Sequence, residues 1–321
     1  MKNDVGHFLL TFDTELAWGH FDCFRETLFS RGGSRERLMI DRILGMLDDY
    51  GIVGTWSFVG HLMLEECAGG RECPTHEWRG KYDVYEKIHG TADPLWYGAD
   101  ILANVRKRKV PHEIACHGFT HRTFNNLDRG AAVREMEEWI RAAAGHDIIP
   151  TAMVFPRNEV GHLDLIREHG FICYRGAELL PPLSRRPVAG PFVRRLYEPL
   201  AAFIPPVVYA PRVGASGMVN LPSSKALFGL PRRMEKAADF LPGARPRTRG
   251  VLRGIAQAAA EKKVLHVYAH PYEFRTGEDL EMLRCILEEA AGQIAEGRLL
   301  SVGMSELARR VLMDEGKGPQ G

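Results

Sequence analysis

Seven short runs of apolar, β-branched or aromatic residues recur along the chain, most of them separated by segments long enough for a helix. They fall at His7 to Asp13, Ile52 to Val59, His112 to Cys116, Thr151 to Phe155, Phe171 to Tyr174, Val264 to His270 and Leu299 to Gly303. Between them, Leu38 to Leu47 and Leu280 to Ala290 space their apolar residues three to four apart, as amphipathic helices do. Thr276 to Asp279 reads as a capping start for the second of these. Repeated strand-then-helix units call for parallel strands joined by helical crossovers. The pattern predicts an α/β fold, a distorted (β/α) barrel of about seven parallel strands.

A chain of 321 residues that is 45% hydrophobic suits one barrel-sized domain over residues 1–321 better than two. Two stretches interrupt the pattern. Residues 66–100, with Trp78, Trp96 and Tyr97, read as a loop excursion over the barrel mouth. Residues 181–253, rich in proline and arginine, read as a basic insertion. Between Arg185 and Arg253 the chain carries 13 Lys or Arg against three acids, although its formal net charge is only +1. Such a stretch is either a solvated surface or a landing site for a phosphate-bearing substrate or an anionic membrane. Its basic residues lie among prolines, without a recognition helix or aromatic strand motif, which argues against nucleic acid as partner. The N-terminus runs at once into a strand, with no secretory pattern and no long apolar span. The expected location is cytoplasmic, with at most peripheral contact with a membrane. The six scattered cysteines read as buried or idle thiols, and the oligomeric state is left open.

In barrels of parallel strands the chemistry collects where the strands end. Asp13, His117, Arg157 and His270 each sit at or just past the end of an expected strand, so four distant segments would converge on one mouth. His117 and His121 are four apart; if Gly118 to His121 turns helically, their Cβ atoms lie roughly 5–6 Å apart, close enough to grip one divalent ion together with a carboxylate. His266 and His270 share that spacing but within a strand, about 13 Å apart, too far to share a metal. His266 therefore reads as structural. Asp13 and Glu15, two apart on a strand, point to the same side.

These residues, in this order, resemble the polysaccharide deacetylase family, the chitooligosaccharide deacetylase-like carbohydrate esterases. Thr11-Phe-Asp13 resembles the family's first motif and His117-Gly-Phe-Thr-His121 its second. Phe155-Pro-Arg157-Asn-Glu-Val-Gly161 is similar to the arginine-bearing third, and His270-Pro-Tyr-Glu273 stands where the last histidine belongs. The likeness spans roughly residues 6–311; a fourth, acidic and tryptophan-bearing motif is not recognisable near Cys173 to Leu180. The resemblance implies removal of N-acetyl groups from amino sugars by a metal held on one carboxylate and two histidines. Transferred residue by residue, it implies Glu15, His117 and His121 as metal ligands, with Asp13 as base, or Asp13 as ligand instead of Glu15. It implies Arg157 as the partner that keeps Asp13 ionised and His270 as the acid, with Glu273, or an acid from elsewhere, orienting it. Trp18, His20, Asn158 and Glu273 are expected to line the substrate site.

The expected cofactor is a divalent metal, zinc first among those that two imidazoles and a carboxylate suit. The expected substrate is an N-acetylated sugar of a cell-surface glycan or glycolipid precursor, either free or on a phosphate or lipid carrier. Two alternatives stay open: hydrolysis of another amide, a formamide or cyclic ureide, on the same scaffold, and a non-catalytic carbohydrate-binding protein.

Overall fold

The computed structural model describes residues 5–80, 84–90, 93–179, 206–228 and 246–316. Strands β1 (Gly6–Thr14), β2 (Thr55–Phe58), β3 (Glu113–Cys116), β4 (Ala152–Val154), β5 (Cys173–Arg175), β9 (Val264–Ala269) and β10 (Leu299–Ser301) occupy the seven apolar runs. Three more, β6 (Arg212–Val213), β7 (Val219–Asn220) and β8 (Lys225–Ala226), bring the count to ten. They are two residues each, too short to carry a periodicity, and add to the roughly seven strands expected. The sheet runs β6-β7-β5-β4-β3-β2-β1-β9-β8, with β10 against the start of β1. Every pairing of these strands except β6 with β7 is parallel. The curled sheet with its helices is a distorted (β/α) barrel. Of the basic stretch 181–253, residues 181–205 and 229–245 lie outside the described residues.

The helices are α1 (Ser34–Tyr50), α2 (Tyr85–His89), α3 (Ala99–Arg106), α4 (Arg129–Ala144), α5 (Leu163–Glu168), α6 (Pro246–Glu261), α7 (Gly277–Ala295) and α8 (Met304–Asp314). Their ends follow the local sequence. Gly51 closes α1 in the left-handed conformation at φ 65°, and Asp128 caps α4 by accepting from the Ala131 amide. Thr276 and Asp279 form the expected capping box at α7. No helix among the described residues is long and apolar enough to cross a membrane.

Alternation along the strands separates two apolar layers. Phe8, Leu10 and Phe12 of β1 face the helices, packing in one cluster with Ile40, Ile43 and Leu47 of α1 and Leu283, Ile286 and Leu287 of α7. Leu9 faces the barrel interior, with Ala115, Ala152, Cys173, Val219 and Val264. Met304, Leu307 and Val311 of α8 close this inner layer from below. α8 is tied to the amino ends of the strands: Met304 donates its amide to Thr55 Oγ1 and Ser305 donates to Glu113 Oε1. Burying each of Met304, Leu307 and Val311 contributes roughly 1.5–3 kcal/mol. The amino ends of the strands are thus closed by α8, and the open end lies at their carboxyl ends.

The excursion at 66–100 folds against the segment that follows β1. Trp78 stacks on Phe21 at 4.6 Å, and Trp96 meets Trp18 edge-on at 5.3 Å.

Candidate active site

Period-two alternation carries the interior face of four strands upward into one site. Above Leu9 come Thr11, Asp13 and then Glu15; above Ala115 comes His117; above Cys173 comes Arg175; above Val264 come His266, Tyr268 and His270. The first tier is a relay under the site. Leu221 O accepts a hydrogen bond from His266 Nδ1 at 3.0 Å, so Nε2 is free to accept from the Thr11 hydroxyl at 3.2 Å. Thr11 Oγ1 in turn accepts from Arg175 Nη1 at 3.1 Å. Burial, with Arg175 nearby, lowers the His266 pKa to about 3, so this ring stays neutral, the structural histidine that its strand position suggested.

The second tier is a buried ion pair. Arg175 donates Nη1 to Asp13 Oδ1 at 2.7 Å and Nη2 to Oδ2 at 2.6 Å, while Ser57 donates to Oδ1 at 3.0 Å. Asn158 Oδ1 accepts from Arg175 Nε at 3.1 Å, and Tyr268 lies flat under the guanidinium, 4.4 Å from its carbon. Burial would raise the Asp13 carboxyl, but Arg175, His117 and His270 outweigh it and hold it far below the usual carboxylate range. Arg157, expected in this place, instead pairs with Asp22 at 2.7 Å on the rim, with its side chain 41% exposed. Arg157 follows β4 and sits at φ 56° in a turn that carries it outward, whereas Arg175 is the last residue of β5, whose alternation aims it inward.

The third tier is the candidate metal centre. Glu15 Oε2 lies 3.3 Å from His117 Nε2 and 2.7 Å from His121 Nε2, and one ligand atom from each residue lies within 4.8 Å of the others. His117 Nδ1 donates to the Val154 carbonyl at 2.8 Å, so in the neutral ring Nε2 carries a lone pair aimed at a carboxylate oxygen. Two acceptors facing each other at that distance suit a cation between them. Burial lowers the His121 pKa despite Glu15, keeping that imidazole neutral as a ligand must be. For Glu15, burial would raise the carboxyl, but His121, His270 and His117 around it outweigh this and hold it well below its ordinary value. The residues present therefore fit a divalent ion.

Residues 117–121 are not helical, contrary to the requirement drawn from their spacing. Gly118 (φ 72°) and His121 (φ 60°) both adopt left-handed conformations, and this loop brings the two imidazole rings to 4.9 Å. The loop is held from both sides. The Gly60 and His61 amides donate to Gly118 O and Phe119 O, each at 2.9 Å, and Glu135 accepts from the Phe119 and Thr120 amides at 2.8 Å.

At the mouth, His270 points Nε2 toward Glu15 Oε1 at 3.6 Å and Asp13 Oδ2 at 3.7 Å, while Nδ1 donates to Glu273 Oε2 at 3.0 Å. Burial opposes protonation, but Glu15, Glu273 and Asp13 outweigh it and push the His270 pKa up to about 10. Glu273 thus spends its carboxylate on His270 instead of facing open space. Tyr272 covers the His270 ring at 5.2 Å, and His20 packs edge-on against Tyr272 at 5.4 Å.

Trp18 does not line the site. It is fully buried, its Nε1 donates to Trp96 O at 2.9 Å, and it belongs to the aromatic packing below the rim. Sequence reasoning also passed over Arg175 and Gly19. A Cβ at Gly19 would lie 2.0 Å from Glu15 Oε1, so the absent side chain leaves room for the carboxylate.

No protein-family model matches the sequence, and no curated protein matches it. Solved structures do match. One from Mycobacterium smegmatis, assigned as a polysaccharide deacetylase, is 18% identical, with a TM-score of 0.59 over 97% of this chain and 92% of that one. Another with the same assignment, from Pseudomonas aeruginosa PAO1, is 12% identical at a TM-score of 0.56, covering 98% and 92%. The Puue allantoinase is also 12% identical, with a TM-score of 0.55 and the same coverages. Across nearly its whole length, then, this chain has the fold of the polysaccharide deacetylases.

Proposed function

We propose that this chain is a metal-dependent amide hydrolase that removes the N-acetyl group of an amino sugar. The observation that carries the reading is the approach of His117 Nε2 and His121 Nε2 to one oxygen of Glu15, at 3.3 and 2.7 Å, beside a second carboxylate and a protonated histidine. Glu15, His117 and His121 would hold the ion, leaving Asp13 free as base. When bound, such an ion supplies Lewis acidity toward an amide carbonyl and a water.

The remaining chemistry belongs to the chain's own groups. Asp13, kept ionised by Arg175 and fixed by Ser57, takes the proton of the attacking water. His270, held by Glu273 in its protonated form, gives a proton to the departing nitrogen. The two groups stand 3.7 Å apart, so both can reach one reacting centre. Arg175 is buried among Tyr268, Asn158 and Thr11, and acts only by positioning Asp13. His20 and Tyr272, beside His270, are the groups placed to meet the sugar.

The finer reading is a precursor sugar on a phosphate or lipid carrier, handled in the cytoplasm at an anionic membrane face. It rests on the basic composition of 185–253. A second reading, opening of a cyclic ureide, has one observation in its favour: the fold shared with an allantoinase. Acetate release from N-acetylated sugars and nucleotide-linked sugars, run beside formylated analogues and allantoin, tests the proposal. Acetate release lost on chelation and restored by zinc supports it. Turnover of the ureide alone, or of nothing with the metal bound, overturns it.

A further inference from the structure

A second cluster of metal-ligating side chains lies away from the active site. His61, Cys67, Cys73 and His89 each offer one ligand atom, and these four atoms all lie within 4.8 Å of one another. In sequence they are scattered, and reading the six cysteines as idle thiols missed them. The fold gathers them from the turn after β2, the two ends of the 66–73 loop and the last residue of α2.

Three observations bear on what the cluster holds. First, His61 is fully buried, and neither of its ring nitrogens has a hydrogen-bond partner among the described residues. Leaving such a group unsatisfied in the interior is costly, so a buried imidazole among thiols calls for a ligand. Second, His89 Nδ1 faces the Cys67 carbonyl at 3.2 Å, which fixes the proton there and turns the Nε2 lone pair into the cluster. Backing a histidine by a carbonyl in this way is the usual arrangement behind a metal ligand. Third, Thr75 Oγ1 stands 2.9 Å from Cys73 Sγ, a hydroxyl able to donate to that sulfur, and 2.6 Å from His89 Nε2, on the lone pair that an ion would take in its place.

We propose that His61, Cys67, Cys73 and His89 bind a structural zinc ion, separate from the Glu15–His117–His121 centre. Two thiolates and two imidazoles are a closed tetrahedral donor set with no position left for substrate or water. In such a site the ligand atoms stand roughly 3.3–3.8 Å apart, so a modest contraction of the observed cluster completes it. The ion staples the 66–100 excursion to the barrel. It also reaches the active site through backbone: His61 donates its amide to Phe119 O at 2.9 Å, within the loop that carries His117 and His121. Its ring packs 5.3 Å from Phe119 and 4.6 Å from Trp18, three residues past Glu15.

The test is metal content of the full chain purified without chelator, for wild type, His117→Ala and Cys67→Ser/Cys73→Ser. Cobalt substitution in each adds a spectroscopic readout. The expected result is two equivalents of metal in wild type and one in each variant. Cobalt-loaded His117→Ala keeps the near-ultraviolet thiolate-to-metal charge-transfer band, and the double serine variant loses it. Should the double variant fail to fold, a mercurial titration of the wild-type thiols is expected to release one equivalent of zinc. A His117→Ala protein that carries no metal and shows no thiolate band after cobalt loading overturns the proposal. So does a Cys67–Cys73 disulfide in the freshly isolated protein. Neither outcome depends on whether the Glu15 centre deacetylates.

Discussion

Arg175 at the end of β5 grips both carboxylate oxygens of Asp13 on β1, at 2.7 and 2.6 Å, across the barrel interior. Four pairings separate the two strands in the sheet, so this contact exists only because the sheet curls. Arg175→Lys keeps a charge but loses the two-pronged grip. We expect kcat to fall about 10²-fold from misplacement of Asp13, with metal content unchanged. Removal of the guanidinium lets the Asp13 carboxyl rise, so the acid limb of the pH–rate profile should move to higher pH. An unchanged profile with full activity would return the role to Arg157.

Glu273 raises the His270 pKa, and His270 must be protonated to serve as acid. Glu273→Gln is therefore expected to move the basic limb of the pH–rate profile to lower pH. His270→Gln should lower kcat by about 10²–10⁴-fold while the protein still binds metal. Steady-state rates across pH, with metal analysis on the same samples, check both.

Gly19→Ala is predicted to leave the fold intact and damage the metal centre. The added methyl would occupy space held by the free end of the Glu15 side chain, which can swing away without moving backbone. Metal affinity, measured by competition with a chromogenic chelator, should drop about 10–100-fold, as when groups that orient a ligand are lost. Thermal unfolding of the metal-free protein should be nearly unchanged.

Stability should fall on mild acidification. The His266 pKa is depressed from 6.5 to about 3 by burial, so between these values the unfolded chain binds a proton that the native state refuses. The full contribution is present above pH 6.5 and is lost progressively as pH falls toward 3. His266 alone accounts for about 3 kcal/mol between pH 7 and 4.5. Urea unfolding of wild type and His266→Gln over this range checks it: the variant's stability should fall less steeply with pH.

Much of the barrel could be read from the chain. The seven apolar runs became strands because each is long enough, or apolar enough, to signal burial on its own. Asp13, His117, Arg157 and His270 could be gathered in advance because strand ends in such folds share one mouth, and Glu15 and His121 by their spacing from Asp13 and His117. Arg175 could not, since nothing local distinguishes an arginine aimed at a carboxylate four strands away from one that, like Arg157, turns out to the rim. Trp18 was ambiguous for a similar reason: a tryptophan beneath a rim and one upon it have the same neighbours in sequence. The Cys67 and Cys73 cluster stayed hidden because its spacing matches no compact metal motif; only the fold of the excursion closes it.

β1 pairs with β2 and β10 on one edge and β9 on the other, and its inward residues Leu9, Thr11 and Asp13 lead directly to Glu15. A single residue inserted between Leu10 and Thr11 would turn Thr11, Asp13 and Glu15 toward the helices and bring Phe12 inside. The barrel could survive such a frameshift in hydrophobic content, but relay, base and metal ligand would vanish together. β1 thus works as a reading frame for the chemistry, open to side-chain exchange one position at a time and closed to any change of length.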